Sequence, residues 1–172
     1  GSLKRAQVYC LTRTDETTSD KLQVLKKKLR KINPGAVIME AIHAPEYFLD
    51  VLTGEKLELE LVHGKKSALL AGIADPSSFE KTLKGLGAMI VSRSYFDDHY
   101  EYRAEDLERV LNSALNSKAD LLITTEKDIV RCKNWFKDQQ GTKIRILVLK
   151  IALKILKGEE ELGGRLHSLR SA

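Results

Sequence analysis

Two cysteines, three prolines and one tryptophan are all that the 172 residues hold of those types, and aromatics make up only 6%. Cys10 and Cys132 form no C-x-x-C pair, which excludes a disulfide-stapled miniprotein and points to a reducing compartment. No apolar run approaches the roughly 20 residues of a membrane span; the longest, around Ala68 to Ala74, is core-sized. Gly1-Ser2 reads as an expression scar, and no secretory hydrophobic segment follows it. Basic residues are not interleaved with the few aromatics, which argues against stacking on single-stranded nucleic acid. No phosphate-binding loop is present. Gly64-Lys65-Lys66-Ser67 would need Gly where Leu59 stands and Ser or Thr where Lys66 stands. Internal repeats and low-complexity segments are also missing.

What is there is ordinary globular composition, 42% hydrophobic and 31% charged, which excludes a disordered tail and a collagen-like fibre. A net charge of +5 permits anionic partners without choosing among nucleotide, nucleic acid and lipid headgroup.

Short β-rich runs alternate with helical stretches, the pattern of an α/β fold with a mostly parallel, Rossmann-like sheet flanked by helices. Strands are predicted over 6–11, 36–42, 67–71, 88–93, 120–124 and 144–155. Helices are predicted over 19–32, 76–86 and 104–117, with another running through Trp135 and a weak last one over 159–169. Leu22, Leu25, Leu29 and Ile32 recur at helical spacing and predict a buried stripe, ended by Asn33-Pro34-Gly35. Lys26, Lys27, Lys28, Arg30 and Lys31 flank it as a solvated face or, second, as a face for an anionic membrane. Leu57-Glu58-Leu59-Glu60-Leu61 alternates strictly and predicts an exposed ribbon at a domain boundary.

Three loops carry the chemistry. Asp75 is a plausible N-cap with Pro76 at the first helical position. Gly72-Ile73-Ala74-Asp75 is therefore either an anion-binding helix start or an ordinary strand-to-helix connection. In Asp97-Asp98-His99-Tyr100 a carboxylate stands beside an imidazole, suited to general-base work if a turn brings the two together; the other reading is a surface histidine. No second His or Cys lies at metal-ligand spacing. Thr124-Thr125-Glu126-Lys127-Asp128 packs hydroxyls, an ammonium and carboxylates at a strand end. It suits a phosphate-facing rim, or equally a helix capped by Thr125. In a parallel sheet the C-terminal strand ends share one edge, so Gly72, His99 and Thr125 should lie together there. A non-enzymatic nucleotide- or anion-binding module fits this rim as well as an enzyme does.

The order and spacing of Leu3-Lys4-Arg5-Ala6, Thr12-Arg13-x-Asp15, Gly64-Lys65, Gly72-Ile73-x-Asp75-Pro76-x-x-Phe79, Phe96-x-Asp98-His99 and Thr124-Thr125-Glu126-Lys127-Asp128 resemble the C-terminal part of the tetraacyldisaccharide 4'-kinases of lipid A biosynthesis. The resemblance implies a two-lobed relative of P-loop kinases. Such an enzyme passes the ATP γ-phosphoryl group to the 4'-hydroxyl of a lipid A disaccharide precursor, at the cytoplasmic face of the bacterial inner membrane. It implies His99 as the catalytic histidine with Asp98 orienting it. It also implies that Thr124, Thr125, Glu126, Lys127 and Asp128 face the cleft between lobes, with Gly72 and Asp75 on the nucleotide side. Tyr100 departs from the polar ring or amide often found after Asp-His in the family. With no Walker A loop, the resemblance implies a truncated kinase: residues 1–48 as the end of the P-loop core, 49–66 as a linker with an exposed strand, and 67–172 as the C-terminal lobe. ATP is then the implied cofactor and Mg²⁺ belongs to the missing lobe. The lipid precursor and an anionic membrane surface are the implied partners, nucleic acid is not one, and the fragment is soluble and inactive alone. The unpaired strand edge of such a fragment predicts self-association.

Overall fold

The computed structural model describes residues 1–139 and 141–170, so residues 140, 171 and 172 of the expected C-terminal lobe lie outside the described residues. In chain order the elements are β1 (Val8–Leu11), α1 (Ser19–Ile32), β2 (Val37–Asp50), β3 (Lys56–Leu57), β4 (Lys66–Ala71), α2 (Pro76–Gly85), β5 (Met89–Tyr95), α3 (Ala104–Asn116), β6 (Leu121–Thr125), α4 (Glu126–Asp138), β7 (Arg145–Lys157) and α5 (Glu159–Arg170). They form two compact units, Gly1–Ala44 with Ala152–Ala172 and Pro45–Ile151.

The first unit is built on a βαβ turn. β1 pairs in parallel with the start of β2, Val8 opposite Val37, and α1 makes the crossover. Asp20 in the first turn and Arg30 and Lys31 in the last complement the helix dipole. Asn33 ends the helix and its side-chain amide donates to Ala6 O at 3.0 Å, fastening the connection to the strand entry. The small core joins Tyr9, Leu29 and Ala36. The expected stripe is only partly buried: Leu29 is, whereas Leu25 and Ile32 are exposed, because the few strands of this unit cover one turn of the helix and not four. Lys26 turns inward to pair with Glu40. Gly158, at φ +90°, lies so close to β2 that a Cβ there would meet Ile38 O at 2.7 Å.

The second unit holds the main core. Its strands run in the order β2-β7-β6-β4-β5, and the pairs β4–β5, β4–β6 and β6–β7 are parallel; β3 lies antiparallel to β2. The mostly parallel sheet flanked by helices is thus the fold that the pattern implies. Parallel strands covered on both faces read as continuous apolar runs, here Ala68-Leu69-Leu70-Ala71 and Ile146-Leu147-Val148-Leu149. Alternate residues serve opposite faces. Leu70, Leu122 and Ile146 pack with Leu107, Val110, Cys132 and Phe136 of α3 and α4, whereas Leu69, Ile123 and Leu147 pack with Phe79 and Leu83 of α2.

Two expectations are corrected. The run from Leu57 to Leu61 is no exposed strand: Leu59–Val62 is a 3-10 turn, and Leu57, Leu59 and Leu61 pack against the α2-side core. Its alternation is real, but a backbone curling under the sheet satisfies it as well as a ribbon does. β2 does not end near Ile42 and continues to Asp50, since Phe48, at 0% exposure, anchors that end in the core.

Phe136, fully buried on the α4 side, sets a test of this packing. Phe136→Ala should cost about 3–5 kcal/mol in a urea unfolding series, while Val130→Ser, on the exposed side of the same helix, should stay within about 0.5 kcal/mol of the parent.

Candidate functional site

After β4 the chain leaves through α2 to one face of the sheet, and after β6 it leaves through α4 to the other. Adjacent parallel strands whose helices depart to opposite faces leave a crevice at their C-terminal ends. For β4 and β6 those ends are Gly72 and Thr125, and the loop after β5 is drawn to the same place.

A single buried carboxylate joins all three loops. Asp128, in the first turn of α4, has no exposed surface. Its Oδ1 accepts the Tyr102 hydroxyl at 2.9 Å and its Oδ2 the Thr125 hydroxyl at 2.6 Å. The Asp128 amide in turn donates to Thr125 Oγ1 at 3.2 Å, a reciprocal N-cap. The helix-capping reading of Thr125 is therefore correct, and it coexists with a rim position. Gly72 is required by this closeness, since a Cβ would lie 2.6 Å from Tyr102 Oη and 3.0 Å from Asp128 Oδ1. Burial first, and then the neighbouring carboxylate, push the Tyr102 phenol far above its ordinary range, so it remains a donor. The Cys132 thiol donates to Asp128 O at 3.2 Å and burial pushes its pKa up to about 12, which makes it inert packing.

The solvent side of the rim is charged. His99 takes the left-handed conformation, φ +66°, and so supplies the turn that the Asp98–His99 pair needs. Its side chain is 73% exposed. Asp98 pairs with Lys127 through one oxygen, and its other oxygen lies 3.6 Å from His99 Nε2. The hydrogen bond from Lys127 is the main cause that holds the Asp98 carboxyl below its usual range. Lys127 Nζ also lies 3.5 Å from His99 Nε2. Arg131 Nη2 lies 3.2 Å from His99 Nδ1, and its other terminal nitrogen donates to Tyr100 O at 3.4 Å. Guanidinium and ammonium can only donate, and one faces each ring nitrogen, so a neutral imidazole can accept from one of the two cations and not from both. Tyr100 donates to Asp106 Oδ2 at 3.1 Å and stacks with Phe96 at 4.7 Å between centroids, which anchors the loop to α3.

The expected residues therefore fall into layers. Gly72, Asp98, His99, Thr125 and Lys127 come together. Asp128 and Thr124 lie beneath them, Thr124 fully buried with no hydrogen-bond partner for its hydroxyl. Asp75 Oδ1 caps α2, accepting from Ser78 N at 3.1 Å and Ser77 Oγ at 2.7 Å. Glu126 pairs with Lys150 in the middle of the neighbouring strand β7. Arg131 and Tyr102 escape the sequence reading. Arg131 was accessible in principle, standing four residues after Lys127 and so on the same helical side; Tyr102 carries no local signal. Among the described residues, no group of three or more His, Cys, Asp or Glu side chains is placed to hold a metal ion, and no helix is long and apolar enough to cross a membrane.

Fold and rim together define a doubly wound type of α/β protein, with the rim at the point where strand order reverses. The model for tetraacyldisaccharide-1-P 4'-kinase, LpxK, matches residues 1–169, and the chain belongs to that family. It is 32% identical over 161 residues to the tetraacyldisaccharide 4'-kinase of Anaeromyxobacter dehalogenans strain 2CP-C, a match covering 94% of this chain and 42% of that relative. It is 33% identical over 160 residues to the kinase of Elusimicrobium minutum, covering 92% and 41%. The chain thus spans about two fifths of the length of these relatives. A crystal structure of LpxK from Aquifex aeolicus, described as an apo form in complex with ATP, shares the fold at a TM-score of 0.53 and 17% identity, covering 94% of this chain and 51% of that one.

If Tyr102 and Gly72 meet through one oxygen, their substitutions must couple. Tyr102→Phe should cost about 1.5–3 kcal/mol because it removes a hydrogen bond to a buried carboxylate. Gly72→Ala should be markedly less damaging in the Tyr102→Phe background than alone, as read by a double-mutant cycle in urea. Additive losses would show that the two residues do not touch.

Proposed function

We propose that this chain is the C-terminal portion of a lipid A 4'-kinase and that its rim completes phosphoryl transfer from ATP to the 4'-hydroxyl of tetraacyldisaccharide 1-phosphate. The carrying observation is the meeting of Asp98, His99, Lys127 and Arg131 above the Asp128 network, in a member of the 4'-kinase family. In this reading residues 1–48 end the kinase core and 67–172 form the lobe that closes over the nucleotide.

The residues divide the work by layer. Lys127 and Arg131, cations on the open side, suit the approach of phosphate oxygens. His99, set between Lys127 and Arg131 on the open side, moves a proton to or from the reacting groups. Asp98 keeps Lys127 and the imidazole at a fixed spacing. Thr124, Thr125 and Asp128 act from below by holding the loops, and Gly72 lets them close. In this reading Mg²⁺ and the phosphate cradle are supplied by other parts of the whole kinase. The lipid precursor is the proposed partner. Lys27, Lys28, Arg30 and Lys31 beside the exposed Val24 and Leu25 of α1 suit an anionic membrane surface.

Two measurements test the proposal. In the complete kinase, His99→Ala should lower kcat roughly 10²–10⁴-fold, with Asp98→Asn costing less; near-normal turnover on the lipid acceptor would remove His99 from the reaction. The 172-residue chain alone, mixed with Mg-ATP and acceptor, should yield no 4'-phosphorylated product, and turnover above a His99→Ala control would show that the phosphate site lies within it.

A further inference from the structure

Away from the rim, a groove of about 180 Å³ opens on the second unit between α4 and the turn that follows β2. Leu49, Val51, Ile129 and Val148 form its apolar floor, and Lys133 and Lys137, one helical turn apart, stand at its edge. The one carboxylate in its wall is already spent. Asp50 accepts Leu52 N at 2.9 Å and Thr53 N at 3.0 Å through Oδ1, and it pairs with Arg145 through Oδ2. Among the described residues neither lysine has an ion-pair or hydrogen-bond partner. The groove therefore joins an apolar floor to two lysines without a carboxylate partner, Lys137 standing in the last turn of α4.

Size and charge together select the occupant. A cavity of about 150 Å³ lined by aliphatic side chains takes a benzene-sized body, so this groove suits one ring or a short chain and is too small for a long acyl tail. The lysines ask for an anionic head on that body. We propose that the groove binds a small carboxylate with an apolar body of about benzene size, the carboxylate meeting Lys133 and Lys137 and the body lying on Leu49, Val51, Ile129 and Val148. The site lies apart from Asp98, His99 and Lys127 in the residues it uses, and it stands whether or not the proposed kinase role holds.

The test is an NMR titration of the intact chain with benzoate, with benzyl alcohol and inorganic phosphate as separate arms. Benzoate should shift the amides of Leu49, Val51, Ile129 and Lys133 saturably, and binding should weaken as salt is raised. Benzyl alcohol should bind about fivefold more weakly or worse, the range for losing an exposed charge contact at each lysine. In Lys133→Gln/Lys137→Gln, whose amide spectrum elsewhere should be unchanged, benzoate should fall to the affinity of benzyl alcohol. Shifts that do not saturate, shifts centred elsewhere, or an unchanged affinity in the double variant would overturn the proposal. Phosphate binding as tight as benzoate's would overturn it too, since the apolar floor would then contribute nothing.

Discussion

A carboxylate with no access to water has to be answered by donors, and Asp128 is answered by groups from two other places in the sequence. Tyr102 comes from the loop after β5, Thr125 from the end of β6, and Gly72 after β4 has given up its side chain to let them meet. Leaving such a group unpaired costs far more than any one of its hydrogen bonds contributes, so the loops have one arrangement that satisfies it. The open positions of Asp98, His99, Lys127 and Arg131 all follow from that arrangement. Lys127 is one residue before Asp128, Arg131 is one helical turn beyond Lys127, and the histidine turn is tethered through Tyr100 and Tyr102. The rim is held fast below and charged above, so side chains carried on loops keep a fixed spacing.

Much of this was legible in the sequence, for physical reasons that vary by element. α1 runs over 19–32 as its spacing implies, because the apolar spacing, a dipole-matched charge pattern and Asn-Pro-Gly all agree. The α2 start is equally local: Asp75 and Pro76 define it without help from the rest of the fold. The parallel pairing of β4, β6 and β7 was signalled by short β-rich runs alternating with helical stretches. The convergence of the Gly72, His99 and Thr125 loops followed from that topology and not from any motif.

What stayed hidden depends on partners distant in sequence. Nothing near Asp128 says that it is buried or that Tyr102, 26 positions earlier, would meet it. In sequence it stands among exposed polar residues and looks like one of them. Leu25 and Ile32 mislead in the opposite direction, since helical spacing marks which residues share a side but not whether anything covers that side. The turn at Leu59–Val62 shows the same limit for strands. An alternating pattern sets which side chains go inward and leaves the backbone two ways of achieving it.

The strand order of the second unit also dictates when it can be assembled. β7 lies between β2 and β6, yet it follows all the other strands of this sheet in chain order. A nascent chain ending before Arg145 can pair β4 with β5 and β6, but β2 has no neighbour on that side until β7 arrives. Parallel pairings must wait for their crossover helices and so form late and slowly. During synthesis the gap between β2 and β6 therefore stays open, with Phe48 and Ile123 uncovered on that side, until β7 emerges to fill it.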